Sequence, residues 1–169
     1  MQLDILRRTE AINGGKLSEL EYYNLSKAIT DAKTADTVSA FDSSKYLLAD
    51  SVIQAYIAAY PEKSQGYSFR VRFAKMSDAD TSRGLAVIPI EQQNQFLKTD
   101  TAADSNKSIF INDYYLLIYY AQYATDLPKE DEYRKAIAVT EEMKTLYHDT
   151  TADEYKFADK TSKQNQDTL

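Results

Sequence analysis

The sequence predicts an all-α fold built from antiparallel helix-turn-helix hairpins, about three of them plus terminal helices, stacked one after another. Three observations carry this expectation. Glycine and proline are scarce, 4 and 3 in 169 residues, whereas sandwiches and doubly wound sheets need many turn residues of positive or fixed φ. Hydrophobic residues make up 43% and charged residues 27%, the balance of a chain able to bury a core. Apolar positions recur at helical spacing in successive segments separated by polar turns. The length suits one core or a short array of repeats and would cramp two independent domains.

Each element follows from local pattern. Leu3, Ile5, Leu6, Ala11 and Ile12 predict half a hairpin or a capping helix within residues 1–18, broken at Gly14-Gly15. Residues 17–33 carry Leu20, Tyr23, Leu25, Ala28, Ile29 and Ala32 on a helical period, and Ser18 three positions before Glu21 is a capping-box start. A second helix is expected from Ser43 or Ser44, with Leu47, Leu48, Val52, Ile53, Tyr56, Ile57 and Tyr60, ended by Pro61. Residues 64–77 predict a third, although residues 67–73 also alternate as a strand would. In residues 83–98, Pro89 must start or kink the helix. Residues 108–125 form the most aromatic segment, residues 130–147 an amphipathic one, and Tyr155, Phe157 and Ala158 a short terminal helix before a fraying end.

Composition narrows the function classes. With 14 Tyr, 6 Phe and no Trp, much of the apolar surface carries a hydroxyl that needs a partner. A net charge of −6 repels phosphate backbones, and no basic stripe exceeds Arg70, Arg72 and Lys75, so no nucleic-acid partner is expected. The absence of cysteine excludes disulfides and thiol chemistry but leaves the compartment open. The run at residues 114–121 is too short to span a bilayer, so no membrane insertion is expected. Residues 1–8 hold no signal peptide; the location is periplasmic if a leader has been trimmed away and cytoplasmic otherwise.

The helices alternate in pairs, which invites a test for internal repeats. Ala49, Ile53, Tyr56 and Pro61 stand at offsets 0, 4, 7 and 12; Ala86, Ile90 and Gln93, then Ala136, Thr140 and Met143, repeat the first three offsets. In the partner helices, Tyr22, Leu25, Ser26 and Ile29 are echoed by Tyr114, Leu117, Ile118 and Ala121. At Tyr67 the following positions hold Arg70 and Val71 instead. Over residues 19–150 this pattern resembles the tetratricopeptide repeat family in a divergent, bacterial form.

That resemblance implies a right-handed α-solenoid, a single repeat domain with repeats at 19–63 and 64–100 and a linker with the third repeat at 101–150, flanked by a partial or capping helix at 1–18 and a terminal helix or tail at 151–169. Ala49, Ala86 and Ala136 would let paired helices approach, so Ala49→Leu would overpack, while Tyr22, Tyr67 and Tyr114 would fill the adjoining grooves. It further implies a non-enzymatic scaffold that binds an unidentified protein or peptide on the concave face of the first helices. That face would comprise Tyr23, Lys27, Gln65, Phe69, Arg72, Asn112, Tyr115, Tyr119 and Tyr123. The chaperone-tail clamp of some members is not matched, since only Lys27 fits it. The alternative is a capping or self-associating module of a larger repeat protein with an empty groove.

No residue set points to catalysis, a cofactor or a metal. Gly14-Gly15-Lys16 lacks the earlier glycine and the Ser or Thr of a phosphate loop. Asp78, Asp80 and Ser82 resemble the start of a calcium loop, but Arg83 and Pro89 occupy the positions that need glycine and glutamate. His148 is the only histidine and suits a helix C-terminus. Glu19 with Glu21, and Glu141 with Glu142, read as solvated faces. The sequons at Asn24 and Asn106 carry no weight.

Overall fold

The computed structural model of the chain describes residues 17–35, 41–99, 104–122, 129–146, 151 and 153–167. Every regular element among them is an α-helix: α1 (Glu19–Ala35), α2 (Ser43–Ala59), α3 (Ser64–Ser77), α4 (Val87–Thr99), α5 (Asp104–Gln122), α6 (Lys129–Leu146) and α7 (Asp153–Gln166). The expected helix within 1–18 falls largely outside the described residues, as do Gly14-Gly15-Lys16, Tyr123 and His148. The chain divides into two compact units, Met1–Ala79 and Asp80–Leu169, and the boundary falls inside the span expected as the second repeat.

Local signals account for the helix starts. Ser18 and Glu21 close the capping box, the Ser18 N–H donating to Glu21 Oε2 at 2.7 Å and the Glu21 N–H to Ser18 Oγ at 3.4 Å. The Ser18 donors hold the Glu21 carboxyl below the usual glutamate range. Asp42 caps α2 by accepting from the Ser44 and Lys45 N–H groups. Pro89 lies in the first turn of α4, where its missing N–H breaks no helical bond. The alternation at 67–73 is resolved as helix α3: its inward positions are Gly66, Arg70, Val71, Phe73 and Ala74, a helical set rather than every second residue.

In the first unit, α1 packs on α2 and α3, and α2 packs on α3. Tyr22 stacks parallel on Tyr56 at 5.8 Å, and Tyr60 meets both edge-on. The Tyr60 hydroxyl donates to the Leu17 carbonyl at 3.0 Å, tying the end of α2 to the start of α1. Tyr46 stacks on Phe73 at 5.4 Å, and burial pushes its phenol up to about 12.

Gly66, not among the small residues expected at helix contacts, lies tightly against α2. Ala49 is only half-buried, whereas a Cβ on Gly66 would stand 2.9 Å from Ile57 Cγ1. At Gly66 the α2/α3 contact therefore leaves no room for a side chain. Arg70, in the slot where the repeat pattern has leucine, is accommodated by a buried ion pair: its Nε and Nη2 donate to the two Asp50 oxygens at 2.8 and 2.9 Å. Gln54 Nε2 adds a third donor at 2.6 Å. Leu20, Leu47 and Leu48, expected on apolar faces, are 67%, 64% and 46% exposed.

In the second unit, α4 packs on α5, α5 on α6 and α6 on α7. Ala136, Thr140 and Met143 are fully buried, as are Ala86 and Ile90, whereas Gln93, at the last offset of the second set, is half-buried. Tyr114 does not fill a groove: it is 45% exposed and meets Phe157 at 5.5 Å, because α5 turns Ile109, Leu116, Leu117 and Tyr120 inward instead. The loop before α4 is a turn, with Asp80 Oδ1 accepting from the Ser82 N–H and hydroxyl. Gly84 follows at φ 64° with the Tyr119 ring against it, where a Cβ would lie 2.5 Å from ring carbons. Gly84→Ala is expected to destabilise the second unit by about 2 kcal/mol or more, from strained φ plus the clash. Adding Tyr119→Ala should remove only the clash, a difference that urea midpoints would read.

Candidate functional site

Five of the nine expected groove residues lie in the first unit, on its α1 and α3 helices. The Tyr23 ring meets Phe69 edge-on at 5.3 Å, both half-buried. Gln65 precedes Phe69 by one turn and is exposed, as are Lys27 and Arg72. Lys27 pairs with Asp31 one turn on, which raises its ammonium, while the nearby Arg72 charge pulls the other way. The result is a face with an aromatic pair, two cations and an amide, built where neighbouring helices run side by side.

The other expected positions behave differently. Asn112 and Tyr115 are buried, 5% and 8% exposed, which is a correction to their place on an open surface. The reason is that α5 is covered by α4 on one side and α6 on another. Asn112 Nδ2 donates to Gln93 Oε1 at 2.9 Å and to Asn94 Oδ1 at 3.0 Å, so it links helices. Tyr119 is half-buried against Gly84 and edge-on to Tyr120 at 5.5 Å.

A pocket of about 360 Å³ opens in the second unit among α4, α5 and α6. At its inner wall Asp113 is 2% exposed; its Oδ1 accepts from Asn94 Nδ2 at 2.7 Å, and its Oδ2 has no hydrogen-bond partner. Burial first, and then the Glu142 charge, raise this carboxyl to about 7 against the opposing pull of Asn94 and Lys98. Lys98 of α4 holds Glu142 of α6 at 2.6 Å across the mouth. Tyr120 donates to Glu91 at 3.3 Å, and Lys135 sits 5.1 Å from the Tyr120 ring centroid. Burial and the Glu91 charge push the Tyr120 phenol up to about 12.

The sequence carried no signal for Asp113. Nothing in Ile111-Asn112-Asp113-Tyr114 tells a buried aspartate from a solvated one. The only hint is that Asp113 and Leu116 share a helical face with Ile109 and Tyr120, spacings of three and four. Glu141 and Glu142, expected together on a solvated face, part company: Glu141 accepts from Ser162 of α7 and pairs with Lys144, while Glu142 faces the pocket. Among the described residues no cluster of three or more His, Cys, Asp or Glu could hold a metal ion, and no helix is long and apolar enough to cross a membrane.

No protein-family profile, curated protein or solved structure matches the chain.

Proposed function

We propose that this chain is a divergent tetratricopeptide-type interaction module that binds a segment of another protein on the α1/α3 face, and that it performs no catalysis itself. The observation that carries this reading is the assembly of Tyr23, Lys27, Gln65, Phe69 and Arg72 on neighbouring helices of one unit. Aromatic rings supply rigid contact area at little entropic cost, and adjacent cations add charge-assisted bonds to carboxylates, a pairing enriched where binding energy concentrates. The fully buried 0, 4, 7 positions of α6 and the side-by-side packing of α1 and α3 on α2 support a repeat-like construction. The partner segment suited to this face is acidic and carries an apolar side chain for the Tyr23/Phe69 pair.

The test is a pull-down from the source cell with the full chain, scored against Tyr23→Ala/Phe69→Ala and Arg72→Glu. Loss of one captured protein in both variants, by tenfold or more, is expected, with circular dichroism and the melting curve retained. Undiminished capture would move the site off this face.

A second reading, self-association, is favoured by a different observation. Ile111, Tyr114 and Phe157 are 54%, 45% and 39% exposed, and the last two touch, an apolar surface of the kind that copies of a chain cover. Light scattering over a hundredfold dilution, with Tyr114→Lys as the disrupting variant, separates a monomer from a dimer held there.

A further inference from the structure

The second-unit pocket has a polar end and an apolar flank. Its lining includes Asp113, 2% exposed, whose Oδ2 is enclosed and has no hydrogen-bond partner. Its side wall presents Leu116, Ala138, Val139 and the Tyr120 ring. The charged groups around Asp113 come from both helices packed on α5: Glu91 and Lys98 from α4, Lys135 and Glu142 from α6. Three carboxylates thus face two ammoniums, and each ammonium is already engaged, Lys98 by Glu142 and Lys135 by the face of Tyr120.

A buried polar atom without a partner is costly, and a buried carboxylate beside a second carboxylate costs most when ionised. What offsets both terms at once is a cationic hydrogen-bond donor. An anion would add repulsion at Asp113 and Glu142, and a neutral hydroxyl would satisfy Oδ2 but leave the charge uncompensated. The volume, about 360 Å³, falls in the range of small-ligand pockets, and the apolar flank suits a short alkyl stem.

We propose that the pocket among α4, α5 and α6 binds a primary ammonium on an alkyl stem, with Asp113 and Glu142 receiving the N–H donors and Leu116, Val139 and Tyr120 holding the stem. The ammonium enters beside Glu142, for which it competes with Lys98, and reaches the enclosed Asp113 oxygen as the lining side chains shift. A free amine and the side chain of a lysine share this chemistry. Because the unliganded Asp113 carboxyl titrates at about 7, an ammonium that needs its ionised form must displace a proton at lower pH. Binding therefore tightens as pH rises through that value. An alkylammonium keeps its own charge throughout pH 5.5–8, so the dependence reports the site.

The experiment titrates the full chain with n-pentylamine, Nα-acetyl-lysine methylamide and 1-pentanol, read by amide chemical shifts including the Asn94 side-chain NH₂ that bonds Asp113. The amine is expected to bind at pH 8, roughly thirtyfold more weakly at pH 5.5, with 1-pentanol at least tenfold weaker than the amine at pH 8. Binding of the lysine amide alongside the amine assigns a peptide lysine as the source; binding of the amine alone assigns a free amine. Asp113→Asn keeps an acceptor for Asn94 and should abolish the pH dependence and weaken the amine at pH 8 tenfold or more; Glu142→Gln should weaken it less and retain the pH dependence. Absence of amine binding at pH 8, equal binding of 1-pentanol, or full affinity in Asp113→Asn would overturn the proposal. None of these outcomes bears on the α1/α3 face of the first unit.

Discussion

Asp50→Ala is expected to cost about 3–5 kcal/mol of stability, the largest single effect in the first unit. Arg70 is 8% exposed and Asp50 4%, so removing the carboxylate takes two charge-assisted hydrogen bonds from a buried guanidinium. It also strips the 2.6 Å partner from Gln54. Replacing both charges, as Asp50→Leu/Arg70→Met, should recover most of the loss, because an ion pair taken out of water gains little over well-packed apolar groups of similar volume. Urea unfolding of the two single variants and the double variant reads the difference as a cycle. Single-variant losses below about 1 kcal/mol would mean that the pair is solvated in solution.

Asp113→Asn is expected to remove a pH-dependent destabilisation of the second unit. The folded carboxyl sits at about 7, raised from the ordinary aspartate value of 3.8. Between those values the folded state holds a proton that the unfolded state has released, so stability falls as pH rises through the window. About three pH units correspond to roughly 3–4 kcal/mol lost by pH 8 relative to pH 4. The carboxyls of Glu21, Asp42, Glu141 and Asp159 are held low by their partners. Their contribution is present at neutral pH and lost as pH falls through those lowered values, the opposite sense. Comparing variant with parent at each pH cancels that background. The variant should match the parent near pH 4 and exceed it increasingly up to pH 8; parallel curves would place Asp113 in contact with water.

Much of the helical architecture was legible because its causes are local. The Ser18/Glu21 box, the break at Pro61 and the tolerated Pro89 act within a turn or two of the chain, and the buried spacing of Ala136, Thr140 and Met143 repeats on the helical period. What periodicity supplies is a face, not what covers it. Leu20, Leu47 and Leu48 keep the period yet are exposed, since a helix can carry more apolar positions than its neighbours cover. Tyr114 and Tyr115 are adjacent in a tyrosine-rich segment, and only the packing of α4 and α6 on α5 decides which is buried.

The same division holds for the candidate sites. A spacing rule within each helix and a resemblance in the pairing of helices put Tyr23, Lys27, Gln65, Phe69 and Arg72 on one expected face, and of these the Tyr23 and Phe69 rings meet. No such rule selects Asp113. Its raised carboxyl comes first from burial and then from Glu142, against Asn94 and Lys98, and these neighbours stand on other helices. Sequence alone was enough for the helical class and for where most helices start and stop. Packing settled that Arg70 meets Asp50, that Gly66 lies against Ile57, and that burial raises the Asp113 carboxyl. Helix formation depends on neighbours three and four residues away, whereas burial and electrostatic coupling depend on distances that only the packed chain defines.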